Sequence, residues 1–278
     1  MATSFIQVEG SKRVAYEDFA AANEGGFTLV LLPSMGDIRQ EYRKLIPLLA
    51  NHRVIAMDLR GMGESDVGFS SYTPLDTGKD IICLLDAKDL YNAVLIGCSM
   101  SAASITYAAA ERPSRVKGIV YLSPFLWDHS MPFGVPPLLR CFLNSCTGAG
   151  FWTSYYESLY TLKPSPVSDL KSHVSALHVN LKAPGRVAAL RGHIFSLKAP
   201  CAAKTPEIRN VPVYVVYGSK DPDFPGEDGV SKEIVEMKKR LPELQDSNIL
   251  VIQGAGHYPQ TEAPDQVAEG ILSFVAKL

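Results

Sequence analysis

The chain has 278 residues, and its 27 Lys and Arg against 29 Asp and Glu leave a formal charge of −2, which excludes a strongly basic nucleic-acid binder and a polyacidic disordered chain. With 46% apolar and 20% charged residues, a globular body of this length buries roughly three quarters of its unfolded surface. Apolar runs such as Phe27 to Pro33 and Val211 to Tyr217 end at strand length, far short of the ~20 residues of a membrane span.

In chain order, strands are expected near Ser4 to Val8, Arg13 to Glu17, Phe27 to Leu32, His52 to Met57, Ala93 to Gly97, Val116 to Leu122, Val211 to Tyr217 and Asn248 to Ile252. From the third onward they are near-continuous Val, Ile and Leu runs, as expected where helices cover both faces of a parallel sheet. Asp37 with Gln40 reads as a capping box opening a helix to about Ala50, and another helix spans Leu75 to Leu90. A third starts after Ser99 and ends near Pro113, because the residue before proline is pushed out of helical geometry. Two more follow Gly229 and Thr261. This alternation specifies an α/β fold with a mostly parallel, eight-stranded sheet begun by an antiparallel pair.

Between Ser123 and Val211 the rhythm breaks. MPFGVPP, KPSPVSD, KAPGR and KAPCAAKTPE divide this stretch into short helices joined by proline turns. It also carries FWTSYYESLY, whose Trp152, Tyr155, Tyr156, Leu159 and Tyr160 can share a helix face. The expected organisation is a core of residues 1–124 and 211–278 with a helical cap at 125–210.

The strand from Ala93 runs through Gly97-Cys98-Ser99-Met100-Ser101 directly into a helix, the context that makes G-x-S-x-G a nucleophile elbow. Such a turn is strained and needs small residues two before and two after the serine. Gly97 meets the first requirement, and Ser101 replaces the usual second glycine. Cys98 is expected to point into packed structure. A serine needs a base, and the base needs an orienting acid. Of six histidines, His257 lies in GAGHYP between the last strand and the last helix, whereas His52, His129, His173, His178 and His193 read as surface or satisfied side chains. Asp221 in YGSKDPDFP is the preferred acid and Asp223, two residues further into a proline-bracketed loop, the alternative. The oxyanion donors are expected to be the backbone N–H groups of Met100 and Met35, with Ser34 as the fallback and a helix N-terminus adding a favourable dipole. Candidate substrate contacts are Ser34, Phe125, Trp127, Trp152 and Tyr156. A histidine base places the acid limb of the rate near pH ~6.5.

Over essentially its whole length the chain resembles the α/β-hydrolases, in LVLLPSMGD, MDLRGMGESD, IGCSMS, YGSKDPDF and GAGHYPQTEAPDQVAEGILSFV, with the same order of serine, acid and histidine. The resemblance implies that Asp58 belongs to a structural turn, and that a serine elbow excludes the dehalogenase and epoxide hydrolase chemistries, which use an aspartate there. It implies acyl chemistry on a small, rather apolar carboxylic ester or lactone, with no cofactor and no metal. The alternatives are acyl transfer to an internal hydroxyl, as in lactone-forming fungal hydrolases of secondary metabolism, or to another acceptor. Carbon–carbon bond hydrolysis and perhydrolysis share the same triad, and a ligand-binding receptor on this fold is a further class. Gly61 and Gly63 lack the third glycine of a dinucleotide fingerprint. Cys83, Cys98, Cys141, Cys146 and Cys201 contain no CxxC pair and read as free thiols. MATSFIQVEG has no signal-peptide features, so a cytoplasmic location is expected.

Overall fold

The computed structural model describes residues 2–22, 26–129, 135–163 and 165–278. Its strands are β1 (Ser4–Glu9), β2 (Lys12–Phe19), β3 (Thr28–Leu32), β4 (Arg53–Met57), β5 (Ala93–Cys98), β6 (Val116–Leu122), β7 (Val213–Gly218) and β8 (Ile249–Ile252). They form one sheet in the order β1-β2-β4-β3-β5-β6-β7-β8. β1 pairs antiparallel with β2, and β2 with β4, while every later pairing is parallel. All residues of β3, β5 and β7 are buried, which is why these strands read as unbroken apolar runs without alternation. β1 sits at the edge, and its burial alternates over the first residues.

The helices are α1 (Pro74–Ala87), α2 (Ser101–Glu111), α3 (Val135–Phe142), α4 (Gly148–Ser158), α5 (Leu170–Lys182), α6 (Arg186–Ile194), α7 (Ala199–Ala202), α8 (Gly229–Arg240), α9 (Pro259–Glu262) and α10 (Pro264–Val275). α1 opens on a full capping box between Thr73 and Asp76, with Pro74 at its first position, where a missing N–H costs nothing. α2 stops at Arg112, before Pro113. α1 packs on α2, and α10 packs on β7. α3 to α7 all lie between β6 and β7; of the turns expected there, residues 131–134 and Pro164 lie outside the described residues. Among the described residues no helix is long and apolar enough to cross a membrane.

Several local expectations are corrected. The stretch from Asp37 to Ala50 is not an α-helix but two 3-10 pieces, Arg39–Lys44 and Ile46–Leu49. Pro47, at the start of the second piece, has no N–H to continue an α ladder. The capping box is also absent: Ile38 is the N-cap and makes no side-chain cap bond, because Asp37 uses its carboxylate elsewhere. The seventh strand begins at Val213, after Pro212, and Asn248 closes a 3-10 turn ahead of β8.

Candidate active site

The parallel strands end along one edge of the sheet, and the loops that leave β3, β5, β7 and β8 carry the residues singled out above. At the end of β5, Ser99 has φ +54°, a left-handed conformation that costs a non-glycine residue free energy. Three hydrogen bonds hold it there. Ser99 N–H donates to the Leu122 carbonyl at 2.9 Å, and its own carbonyl accepts from Phe125 N–H and Ala102 N–H, each at 3.0 Å. The turn is tight enough that a Cβ on Gly97 would lie 2.8 Å from the Ser101 carbonyl oxygen. Cys98 is fully buried. Burial, reinforced by Glu41, pushes its thiol well above the usual range, so it is a protonated packing group and not a nucleophile.

After β7, Asp221 is buried, and after β8 so is His257. Asp221 Oδ2 lies 2.8 Å from His257 Nδ1, and Asp221 Oδ1 accepts from Asp223 N–H at 3.0 Å. Asp223 stands further off, with its Oδ2 3.7 Å from the same nitrogen, and it accepts from the Tyr155 hydroxyl. The two loops are stitched together by Lys220 N–H to the Ala255 carbonyl, and His257 N–H donates to the Leu159 carbonyl at 3.0 Å. With Nδ1 on Asp221, Nε2 is the imidazole nitrogen left for chemistry. Burial opposes a charge on this ring, but Asp221, aided by Asp223 and Glu41, outweighs it and raises the His257 pKa to about 9. Phe125 joins the two halves: its N–H bonds Ser99, and its ring lies 5.8 Å from the imidazole and stacks on Phe224 at 4.8 Å.

The loop after β3 carries the remaining donors. Neither Met35 N–H nor Met100 N–H has an acceptor among the described residues. Ser34 is different, because its N–H donates to Glu41 Oε2 at 2.8 Å and its hydroxyl shares a 3.0 Å hydrogen bond with the Tyr258 hydroxyl. Those bonds remove Ser34 both as a fallback oxyanion donor and as a free substrate contact. The α-helix N-terminus expected to assist here is also missing, since a short 3-10 helix follows the loop. Gly36 has φ +72°, and a Cβ there would sit 2.5 Å from the Trp152 indole.

The other predicted contacts divide. Trp152 donates Nε1–H to the Gly36 carbonyl at 2.9 Å, and the fully buried Tyr156 donates to Asp37 Oδ2 at 2.7 Å. Both therefore hold the β3 loop in place, and neither presents a free polar group to a ligand. Trp127 carries the Arg240 guanidinium 4.7 Å from its ring centre and is linked to His257 through the rings of His129 and Phe125. Asp58 accepts from Arg39 N–H and Glu64 N–H and pairs with the Arg39 guanidinium, a buried turn-forming role.

A buried polar network behind the loop was not legible in the sequence. His173 Nε2 lies 2.9 Å from Asp37 Oδ1, Tyr156 and Tyr160 share a 2.8 Å hydrogen bond, and Gln260 Nε2 donates to Glu41 Oε1 at 2.9 Å. Burial and the neighbouring Asp37 raise the Glu41 carboxyl to about 8. Burial opposes ionisation of Asp37 as well, but His173 and the Tyr156 hydroxyl overcome it and leave that carboxyl below its usual range. The only sequence signal was acidic residues within an apolar stretch, which usually mark a solvated face. Among the described residues, Asp221, Asp223 and His257 are the only three groups whose ligand atoms cluster closely enough for a metal ion. Their short contacts to one another already account for that cluster.

The model of the Alpha/beta hydrolase family matches residues 29–270. A putative non-heme chloroperoxidase of Synechocystis is 24% identical over 94% of this chain and 94% of its own length. The acetyltransferase component of the acetoin cleaving system of Pseudomonas putida is 26% identical over 93% of this chain, which spans 66% of that protein. Among solved structures, a thermophilic esterase from Thermogutta terrifontis superposes with a TM-score of 0.75 at 20% identity, covering 100% of this chain and 99% of that one. A bromoperoxidase from Bacillus anthracis gives 0.80 at 15% identity, covering 99% and 100%.

Proposed function

Because the chain belongs to the alpha/beta hydrolase family, we propose that it is a serine hydrolase cleaving a small, rather apolar carboxylic ester or lactone through an acyl-enzyme. In this reading Ser99 Oγ attacks the carbonyl carbon while His257 Nε2 takes its proton. Asp221 holds the imidazole in the required tautomer and stabilises the imidazolium. The tetrahedral oxyanion is held by Met35 N–H and Met100 N–H, each such donor being worth roughly 3 kcal/mol in the transition state. The imidazolium then protonates the leaving alcohol, and water deacylates Ser99 by the same route in reverse.

The observation that carries the reading is the serine held at φ +54° by three backbone hydrogen bonds, one of them from Phe125, whose ring lies 5.8 Å from the imidazole of a buried carboxylate–imidazole pair. Residues 125–210 act as the cap over a core of residues 1–124 and 211–278. The hydrogen bonds of Trp152, Tyr156 and His173 to the β3 loop support that division. Phe125 beside the imidazole, with Phe224 stacked on it, favours an apolar acyl or alkoxy group. Ser99→Ala tests the assignment: turnover of p-nitrophenyl esters falls on the order of 10⁶-fold with the melting temperature nearly unchanged. Survival of most of the activity would remove Ser99 as the nucleophile.

A further inference from the structure

Ser101 is the position where this chain departs from the G-x-S-x-G pattern, and its side chain has a definite partner. Fully buried, it donates Oγ–H to the Pro33 carbonyl at 2.6 Å. The N–H at the other end of that same peptide unit, that of Ser34, donates to Glu41 Oε2 at 2.8 Å. A glycine at 101 has no such donor. Glu41 is anchored in turn, because its other oxygen accepts from Gln260 Nε2 at 2.9 Å and Gln260 also contacts Cys98 Sγ at 3.3 Å. The Thr261 hydroxyl donates to the Glu41 carbonyl at 3.3 Å. One peptide plane in the β3 loop is thus gripped from the nucleophile elbow on one side and, through Glu41, from the histidine loop on the other.

The consequence falls on the next amide. A trans peptide is planar with its N–H and C=O on opposite sides. The Ser34 carbonyl accepts from Asp37 N–H at 3.2 Å within the turn, so Met35 N–H projects the other way, with no acceptor of its own among the described residues. Rotation of the Pro33–Ser34 plane changes the direction of Met35 N–H by way of the intervening residue, Ser34.

We propose that Ser101 and Glu41 are positioning residues for the oxyanion hole: together they fix the Pro33–Ser34 peptide and thereby aim Met35 N–H. The proposal rests on the serine-hydrolase reading, and it deepens that reading by tying the three loops of the site to one another. It also accounts for the buried carboxyl at position 41, whose two oxygens are both used, and for the serine where a glycine is usual.

The test compares Ser101→Ala, Glu41→Leu and Glu41→Gln with the wild type on one p-nitrophenyl ester, alongside inhibition by an alkylboronic acid, which forms a tetrahedral anion on the serine. For Ser101→Ala, kcat falls on the order of 10-fold while KM stays within about 3-fold, since one neutral hydrogen bond is lost and expressed only in the transition state. The boronate inhibition constant rises by the same factor as kcat falls. Glu41→Leu loses more, because Ser34 N–H is left buried without a partner, and Glu41→Gln, which retains an acceptor oxygen, recovers most of that loss. In amide NMR spectra the Met35 resonance shifts in Ser101→Ala while that of Gly118, far from the loop, stays put. A Ser101→Ala enzyme with wild-type kcat and wild-type boronate affinity would overturn the brace while leaving the hydrolase reading standing. A folded wild type with neither ester turnover nor boronate binding would overturn the hydrolase reading and the proposal with it.

Discussion

If His257 is the base of the proposed reaction, its basicity sets the pH at which the site works, and replacing Asp223 by Asn moves it. With the imidazole raised to about 9, only about 1% of the enzyme carries a free base at pH 7. We therefore expect kcat/KM to climb about tenfold per pH unit from pH 6 to 8 and to level near 9, well above the ~6.5 of an unperturbed histidine. Part of the elevation comes from Asp223, whose Oδ2 lies 3.7 Å from Nδ1. A unit charge at that separation is worth about 1 kcal/mol at the dielectric of water and about 4 at an effective dielectric of 20, so its removal lowers the pKa by at least about one unit. Asp223→Asn keeps the backbone N–H that bonds Asp221. Its acid limb moves down, and its rate at pH 7 rises roughly tenfold. The assay is p-nitrophenyl ester hydrolysis read at the isosbestic wavelength of p-nitrophenol, with the melting temperature as a control for folding. A wild-type limb near 6.5 that Asp223→Asn does not move would refute the reasoning.

The remaining expectations concern stability and the β3 loop. Gly36→Ala forces a Cβ against Trp152 at φ +72°; we expect a loss of several kcal/mol in urea unfolding, and a normal transition midpoint would contradict it. His193 is buried, its Nε2 lies 2.9 Å from the Arg60 carbonyl, and burial lowers its pKa to about 4. Its folded pKa is depressed, so the unfolded chain takes up its proton first and stability falls from pH ~6.5 down to 4, by about 3 kcal/mol for this group. His193→Gln should flatten that acid slope, and an unchanged slope would count against the assignment. Glu41 has the opposite sign: its folded pKa is raised to about 8, so its contribution is present below the unfolded value and is lost as pH rises. The stability of Glu41→Gln relative to wild type should therefore grow between pH ~4.5 and 8, on the order of 5 kcal/mol, and a pH-independent difference would be inconsistent with a buried neutral carboxyl.

The central strands were legible because β3, β5 and β7 are buried along their whole length and carry their own signature in unbroken apolar runs. The serine elbow was legible because Gly97 and Ser99 lie on one short turn whose geometry is local. The pairing of Asp221 with His257 was legible only as an order of loops, since 36 residues separate them and the sheet alone brings them together. What escaped were contacts made by neither periodicity nor spacing. Asp37 looks like a helix cap in sequence, yet Tyr156 and His173, more than a hundred residues away, claim its carboxylate. Glu41 looks like a solvated position on a helix, but it lies in a short 3-10 piece that buries it. Trp152 and Tyr156 are candidate substrate contacts in the sequence, whereas their polar atoms are spent on the β3 loop.

The central claim is that Ser99 is an activated nucleophile, and intact-mass spectrometry after treatment with a small fluorophosphonate tests it most directly. Wild type should gain the mass of one phosphonyl group and lose ester turnover in parallel, while Ser99→Ala gains nothing. An unmodified wild type that is folded by circular dichroism, or an adduct that persists in Ser99→Ala, would contradict it.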